Sequence, residues 1–287
     1  MRTALANARL RQDINFLLTN RIPRRLANRF AAWFSRIEQP LVARASIALW
    51  RSFSDLDLSE ARTQRFSSLH ACFTRQLKPG VRPIEPDPAL ITSPCDGIVG
   101  ASGQIERDAL YQAKGFPYTL GDLLVDPQLT EHFRDGQYVT LRLTASMYHR
   151  FHAPYDCTVE RITHIPGDTW NVNPIALARI SRLFCKNERA VIRAVLKPSG
   201  MVIVLVPVAA ILVGGIRLNF LDAPLNGQYH GAAQIACRQN FGKGEEMGWF
   251  EHGSTILLFA PKGVTLCPSV REGVVIRMGR PLMRLSC

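Results

Sequence analysis

A cluster of prolines divides the chain into two parts of different character. Proline stands at positions 79, 83, 86, 88 and 94. Because proline lacks a backbone N–H and clashes with the preceding helical turn, this segment excludes a helix and indicates a turn-rich linker. Before it, glycine is absent, proline occurs only as Pro23 and Pro40, and apolar residues recur at helical spacing. We therefore predict an N-terminal helical region over residues 1–77 and a second region over residues 78–287.

The second region has the pattern of β-structure. Short runs rich in β-branched residues and bounded by Gly, Pro or polar residues are typical of strands. The runs are YVTLRL, CTVERITHI, AVIRAVL, MVIVLV, STILLF, GVTLC and GVVIRM. Helical candidates interrupt them at TLGDLLVDPQLTEHFRD, with a break expected at Pro127, and at PIALARISRLF. The predicted fold class is α+β, with an N-terminal helical layer on a mostly antiparallel β core.

The charge of the chain points to anionic partners. Its 35 Lys and Arg exceed its 23 Asp and Glu, which gives a formal net charge of +12. Such an excess favours binding to nucleic acid or to an acidic membrane surface. Residues 1–52 carry ten of the arginines but only two acidic residues. The positive charge is therefore concentrated in the predicted helical region.

Two segments of that region resemble helices that lie in a membrane interface. One face of RRLANRFAAWFSRI carries large apolar residues, namely Leu26, Phe30, Trp33, Phe34 and Ile37. A neighbouring stripe carries Arg25, Arg29 and Arg36. The segment PLVARASIALWRSF repeats the theme. Apolar groups can enter the headgroup boundary while guanidinium groups meet lipid phosphates. A helix packed on a protein core would show a similar face, but the local arginine excess favours the membrane.

Other signals limit the class of protein. No run reaches the roughly 18 consecutive apolar residues of a membrane-spanning helix. The nearest, MVIVLVPVAAILVGGI, contains Pro207 and a Gly-Gly pair and predicts two short buried strands. Charged residues interrupt the N-terminus where a secretory signal needs an apolar core. The seven cysteines form no Cys-x-x-Cys pair, so they indicate neither a disulfide framework nor a zinc site, and they fit a reducing compartment.

Three motifs of the second region contain residues suited to catalysis. Asp96 lies in SPCDGIVG, His149 and His152 in MYHRFHAPYDC, and Ser254 in EHGST. An acid, an imidazole and a hydroxyl are the parts of a triad, in which the acid orients the imidazole and the imidazole accepts the hydroxyl proton. The same residues could also have purely structural roles. Asp-Gly and Gly-Ser are common in turns, and one histidine could lie in the core and the other at the surface.

A shared metal ion at the two histidines is disfavoured. Residues three apart point to opposite faces of a strand, so His149 and His152 could share an ion only if the segment bends. The sequence also lacks HExxH, and no third ligand is recognisable. A His-x-x-His metal site nevertheless stays open at this stage.

Longer segments resemble one family of enzymes. They are LKPGVRPI, SPCDG, QAKGFPYTLGDLL, YHRFHAP, PGDTWNVNP, LFCKNERAVI and KGEEMGWFEHGSTILLFAP, in the order Asp, His, Ser. With these segments the chain resembles the phosphatidylserine decarboxylase family from about Phe66 to Leu282. Members of this bacterial and mitochondrial family are proenzymes that cut themselves to make a pyruvoyl group. One departure is His252, where the best-known bacterial members carry Leu.

The resemblance implies a self-cleavage reaction. Asp96, His152 and Ser254 would form a charge relay in which His152 deprotonates Ser254 while Asp96 fixes the imidazole tautomer. The Ser254 oxygen then attacks the carbonyl of Gly253, and the amide becomes an ester. Elimination and hydrolysis release ammonia and leave a covalent pyruvoyl group derived from Ser254, which is the implied cofactor. A long chain of residues 1–253 and a short chain that starts at position 254 result.

The resemblance also implies the second reaction, the decarboxylation of phosphatidylserine to phosphatidylethanolamine and CO2. His149 is the candidate proton donor, since a histidine pKa near ~6.5 permits proton exchange near neutrality. No metal is implied. No diffusible cofactor is needed either, and the sequence lacks GxGxxG and a Walker loop.

The implied substrate is an anionic lipid that stays in the bilayer, and it is also the implied partner. We therefore expect a peripheral protein on the cytoplasmic face of the bacterial cell membrane. Nucleic acid is not expected, because no recognition motif is present, and a homo-oligomer stays open. Three alternatives remain: a pyruvoyl decarboxylase for another serine-headed lipid or a soluble amino acid, a basic surface-binding module, and a metal-dependent hydrolase built on His149 and His152.

Overall fold

A computed structural model of the chain describes residues 13, 16–17, 23–111, 116–211, 215–251 and 254–285. The helices are α1 (Arg24–Ser35), α2 (Pro40–Phe53), α3 (Leu69–Phe73), α4 (Leu120–Leu124), α5 (Pro127–His132), α6 (Pro174–Leu177) and α7 (Leu183–Lys186). The strands are β1 (Leu90–Thr92), β2 (Gly97–Gln104), β3 (Ala109–Tyr111), β4 (Pro117–Thr119), β5 (Gln137–Leu143), β6 (Arg150–His152), β7 (Cys157–Ile165), β8 (Arg189–Leu196), β9 (Val202–Ala209), β10 (Ile216–Leu218), β11 (Gln234–Phe241), β12 (Glu246–Phe250), β13 (Ser254–Ala260), β14 (Thr265–Leu266), β15 (Val275–Ile276) and β16 (Pro281–Arg284). All pairs of these strands are antiparallel, which confirms the predicted α+β class.

The N-terminal region is less helical than predicted. The residues between α2 and α3, 54–68, contain no helix. Asp57 explains part of the difference, because its carboxylate accepts hydrogen bonds from the backbone and hydroxyl of Ser59 at 2.8 and 2.9 Å. Such local bonds compete with helical ones. A small core of Trp50, Leu56, Cys72 and Phe73 joins this region to α2 and α3.

The main sheet has eight strands in the order β11-β7-β8-β9-β13-β5-β2-β15. Strand β13 therefore lies in the interior of the sheet, between β9 and β5. Ile256 and Leu258 pack into the core on one face, and Leu257 and Phe259 pack into the core on the other. Because both faces are covered, the run STILLF is apolar without alternation.

Two segments, residues 201–216 and 174–184, form secondary structure that differs from the prediction. The sequence predicts two short strands in the segment MVIVLVPVAAILVGGI, but its described residues form one strand, β9, with Pro207 inside it, and only its last residue, Ile216, begins β10. The β8–β9 ladder passes from the pair Arg189–Val208 to the pair Ile192–Leu205, so the proline lies at a gap in that ladder. PIALARISRLF forms α6 and α7 instead of one helix, whereas Pro127 begins α5 and confirms the predicted break.

A smaller sheet, β10-β12-β6, carries one of the catalytic motifs. Its strands approach so closely that a Cβ at Gly248 would lie 2.0 Å from the carbonyl oxygen of Arg217. Glycine is therefore required where β12 passes β10. Strand β6 ends at His152, which pairs with Glu246 of β12.

Candidate active site

Asp96 is held by an arginine that the sequence motifs did not single out. Its carboxylate is buried and accepts hydrogen bonds from Arg82 Nε at 2.9 Å and Arg82 Nη2 at 2.6 Å. The backbone N–H of Met278 adds a third bond at 2.9 Å. Arg82 also donates through Nη1 to Glu60 at 2.7 Å. The two-pronged contact fixes the carboxylate in one orientation.

His152 is oriented by a backbone carbonyl and not by Asp96. Its Nδ1 lies 2.9 Å from the Gly244 carbonyl oxygen, and its Nε2 lies 3.0 Å from the Tyr148 hydroxyl. Since a carbonyl can only accept, Nδ1 carries the hydrogen and Nε2 is the basic nitrogen. The predicted hydrogen bond between Asp96 and the imidazole is therefore not formed. The two motifs still adjoin, because the amide of His152 donates to Pro94 at 2.8 Å.

The turn that supplies this carbonyl depends on glycine. Gly244 has φ of +84°, a conformation that side-chain-bearing residues rarely adopt. A Cβ there would also lie 2.7 Å from the side chain of Ile84. The KGEE segment thus contributes a residue to the site that sequence reasoning missed, although its presence among the family-like segments was a signal.

Burial determines the charge of His152. Desolvation lowers the pKa of this imidazole below its ordinary value of 6.5, and the Gly244 carbonyl and the charges of Glu246 and Asp96 oppose this shift only in part. The imidazole is therefore neutral at pH 7, with the lone pair of Nε2 facing the Tyr148 hydroxyl. A neutral, buried imidazole in a fixed tautomer is suited to accept a proton.

His149 is fully buried beneath the N-terminal helices. Its ring centroid lies 4.0 Å from that of Phe73 in α3, which in turn stacks on Trp50 of α2. Nδ1 lies 2.9 Å from the carbonyl oxygen of Met147, so Nε2 is again the basic nitrogen. The alternative with one histidine at the surface is therefore wrong, because α3 covers this segment.

Metal ligands do not gather around the two histidines. Within residues 23–111, 116–211, 215–251 and 254–285, no group of three or more His, Cys, Asp or Glu side chains could hold a metal ion. In addition, each histidine uses Nδ1 to donate to a carbonyl.

Ser254 begins strand β13 in the interior of the main sheet. Its backbone is paired with Leu143 of β5 on one side and with Ala209 of β9 on the other. Gly253, the residue before the predicted cut, and His252 lie outside the described residues, as does the side chain of Ser254. The position of residue 254 in the fold is therefore defined by its strand register.

A large apolar cavity opens at this end of β13. Its volume is about 850 Å³, and its wall includes Leu143, the partner of Ser254 on β5, and Ala210, which follows the partner of Ser254 on β9. The rest of the wall comes largely from the N-terminal helices, including Trp50, Phe53 and Phe73. A separate polar cavity of about 370 Å³ borders the other part of the site, including Tyr148 and His152.

The apolar faces predicted on the N-terminal helices lie largely in solvent. On α1, Leu26, Phe30 and Trp33 are 65%, 62% and 63% exposed. On α2, Leu41, Leu49 and Phe53 are 70%, 64% and 73% exposed, whereas Trp50 is buried. These residues therefore do not serve a protein core, and they form a surface that we call the apolar face. Among the described helices, none combines the length and hydrophobicity needed to span a bilayer.

Comparison with known proteins identifies the family of the chain. A family profile described as phosphatidylserine decarboxylase matches residues 69–284, which include Asp96, His149, His152 and Ser254. A protein named phosphatidylserine decarboxylase proenzyme from Halorhodospira halophila is 37% identical over 288 residues, covering 96% of this chain and 94% of its own length. Proteins of the same name from Aliivibrio salmonicida and Marinobacter nauticus are 33% and 37% identical over 92% and 80% of this chain, and 95% and 83% of their own lengths. The chain therefore belongs to the phosphatidylserine decarboxylase family.

Proposed function

We propose that this protein is a self-cleaving, pyruvoyl-dependent decarboxylase that converts phosphatidylserine to phosphatidylethanolamine and CO2. The observation that carries the proposal is the family match over residues 69–284 with all four candidate residues inside it. The names of the relatives support synthesis as a proenzyme. The apolar cavity at the start of β13 supports a substrate with acyl chains.

The first reaction is the cleavage of the peptide bond between Gly253 and Ser254. The Ser254 hydroxyl gives its proton to a base and attacks the Gly253 carbonyl carbon. The C–N bond breaks, the amine of residue 254 takes a proton, and an ester joins the two chains. Loss of the Cα proton expels Gly253 as a carboxylate. The remaining dehydroalanine adds water and loses ammonia, which leaves a ketone without any external oxidant.

His152 is the base in this proposal. Its tautomer is held by the Gly244 carbonyl, and its lowered pKa keeps Nε2 unprotonated at neutral pH. The Tyr148 hydroxyl lies 3.0 Å from Nε2 of His152. It therefore either relays the proton from Ser254 or moves away so that Ser254 contacts Nε2 directly. Asp96 acts through its negative charge, which favours the imidazolium formed on proton transfer. Arg82 holds the carboxylate in place.

The described residues fit a pyruvoyl group at position 254. Strand pairing on both sides anchors that position, and the adjoining cavity gives space for a lipid substrate. The group supplies a ketone that binds the substrate amine and accepts the electrons released when CO2 leaves. The strands β5 and β9 hold the chain end beside the apolar wall of the cavity. An apolar surrounding favours loss of a carboxylate charge.

His149 is the proposed proton donor in the decarboxylation. The carbon that loses CO2 must receive a proton, and Nε2 of His149 is the nitrogen able to deliver one once it is protonated. The ring lies behind Phe73, which lines the apolar cavity. Movement of that phenyl ring would connect the imidazole with the cavity.

Membrane association of the apolar face completes the proposal. Large apolar side chains of α1 and α2 are exposed, and the neighbouring Arg29, Arg44 and Arg51 are exposed without an ion pair among the described residues. Guanidinium groups in this setting suit lipid phosphates. We place the protein on the cytoplasmic face of the bacterial membrane as a peripheral protein, in contact with its anionic lipid substrate and composed of its own long and short chains. A homo-oligomer remains compatible with this arrangement.

The proposal is tested by the mass and the activity of the purified protein. Two chains with the masses of residues 1–253 and 254–287, the second carrying a ketone in place of its amine, are expected. Borohydride together with phosphatidylserine should trap an adduct on the short chain. A single unbroken chain with an ordinary serine would refute the proposal. Release of CO2 from phosphatidylserine, but not from free serine, would exclude the alternative of a soluble amino acid substrate.

A further inference from the structure

Arg142 of β5 is a half-buried cation for which the described part of the chain supplies no counter-charge. Among the described residues it makes no hydrogen bond and no ion pair. Arg82, Arg150, Arg161 and Arg189, by contrast, each donate to a carboxylate or carbonyl. Burial lowers the pKa of Arg142, as expected of a guanidinium that has lost water and gained no partner.

Two buried hydroxyl groups beside Arg142 also have no partner within the described ranges. Thr255 of β13 is directly opposite Arg142 in register, and Thr140 lies two residues earlier on the same face of β5. Both side chains are buried, and within the described part of the chain neither Oγ1 has a hydrogen-bond partner. Buried hydroxyls are rarely left unpaired, because each loses its hydrogen bonds to water on burial and gains none in return. The Arg142 guanidinium and the two hydroxyls therefore lie on one face of the sheet as hydrogen-bond donors that the described residues leave unused. A ligand with several acceptor oxygens is the chemistry that matches them.

The surroundings identify the chemistry of that ligand. Arg142 lines the 850 Å³ apolar cavity and also a smaller one of about 160 Å³, which Thr140 lines as well. A guanidinium that projects into an apolar cavity suits an anion attached to an apolar body. Arg142 also precedes Leu143, the residue opposite Ser254, and both Arg142 and Leu143 line the 850 Å³ cavity, while the side chains at 142 and 254 leave opposite faces of the sheet.

We propose that Arg142 binds the phosphodiester of the lipid substrate, with Thr140 at the same subsite; this rests on the proposed function. The substrate amine and phosphorus are separated only by the serine carbons and an ester oxygen, so both groups have to be bound close to the part of the cavity wall that contains Arg142 and Leu143. The serine carboxylate is the less suitable ligand. Its charge disappears in the reaction, so an ion pair with it would stabilise the ground state and slow the loss of CO2. The phosphodiester keeps its charge throughout.

The alternative role for Arg142 is a structural ion pair with Glu272 instead of ligand binding. Glu272 also lines the 160 Å³ cavity, but it is exposed, and no ion pair within 4.0 Å joins it to Arg142. If Arg142 served only to pair with Glu272, removal of either charge would have the same effect. Substitution of Arg142 and substitution of Glu272 therefore distinguish a ligand-binding role of Arg142 from a purely structural one.

The test uses short-chain phosphatidylglycerol below its micellar concentration as the probe. This lipid has the phosphodiester but neither amine nor carboxylate, so it cannot react. Binding to the self-cleaved protein is followed by tryptophan fluorescence, since Trp50 lines the cavity. Arg142→Met is expected to weaken binding about tenfold to a hundredfold, the range of charge-assisted hydrogen bonds. Binding of short-chain diacylglycerol, which lacks the phosphate, should be unchanged. The KM for phosphatidylserine should rise more than kcat falls.

Several controls keep the outcomes distinct. Glu272→Gln should bind phosphatidylglycerol as the unmodified protein does, and an equal loss in both variants would overturn the proposal. Undiminished binding in Arg142→Met would also overturn it, as would equally tight binding of inorganic phosphate, which lacks acyl chains. If Arg142→Met does not fold, Arg142→Lys is used, and unchanged affinity in that variant would count against the bidentate contact. Failure of the unmodified protein to cleave itself would instead refute the proposed function, since lipid binding is measured without turnover.

Discussion

Removal of the large side chains of α1 should detach the protein from membranes. The perturbation is the triple substitution Leu26→Gln, Phe30→Gln and Trp33→Gln. Glutamine is a good helix former, so α1 itself should persist. Full burial of one such side chain is worth about 1.5–3 kcal/mol. Because these residues are 62–65% exposed, each can gain about 1–2 kcal/mol by entering a bilayer.

The summed effect is about 3–6 kcal/mol if all three side chains enter the membrane. Interfacial helices insert only part of their surface, so we take the lower value. A loss of about 3 kcal/mol corresponds to a decrease of about 100-fold in the partition coefficient. The exposed arginines supply a separate attraction of about 1 kcal/mol each near an anionic surface, which salt weakens. High salt therefore isolates the apolar contribution.

The assay is cosedimentation of the full-length protein with sucrose-loaded vesicles of phosphatidylcholine and phosphatidylglycerol, at low and high salt. A matched control replaces Val274 and Val275, which are 41% and 60% exposed but far from the N-terminal helices in sequence, with glutamine. The control should bind within about twofold of the unmodified protein, the scatter expected of surface substitutions. If the triple variant retains its helical circular dichroism and its partition coefficient falls less than threefold, the apolar face is not the membrane contact.

Three further predictions concern cleavage and stability. Ser254→Ala should yield one uncut chain of about 32.1 kDa on a denaturing gel; conversion of this variant into two chains would exclude Ser254 as the nucleophile. Burial lowers the pKa of His152 below 6.5, so this base is neutral at pH 7. The rate of self-cleavage, measured on precursor made by cell-free translation, should therefore be constant above pH 6.5 and fall on acidification through that lowered pKa. A rate that rises on acidification would contradict the assignment of His152 as base. Gly248→Ala, made in the uncut Ser254→Ala protein, should lower the free energy of unfolding in urea by about 2–3 kcal/mol, because its Cβ would lie 2.0 Å from the Arg217 oxygen. Gly227→Ala, whose Cβ would have no neighbour within 4 Å, is the control, and equal losses would show that the strand contact is not responsible.

Local patterns in the sequence were sufficient to predict the fold class and the break at Pro127. Prolines exclude helices, β-branched runs favour strands, and both effects depend on neighbours in sequence. The residues of the candidate site, Asp96, His149, His152 and Ser254, were also identified from motifs, and the family match spans all of them. Their roles remain proposals, because a motif specifies residue types and not distances.

Only the tertiary structure decided which groups touch. The carboxylate of Asp96 meets Arg82, and His152 meets the carbonyl of Gly244, a residue 92 positions away. Neither contact follows from sequence spacing, because each requires segments that are distant in the chain to pack at hydrogen-bond distance. The burial of His149 beneath Phe73 and the unpaired guanidinium of Arg142 likewise depend on how α3 and β13 pack on their neighbours. Sequence periodicity indicates which face of an element is apolar, whereas close packing of distant segments determines which polar group finds a partner.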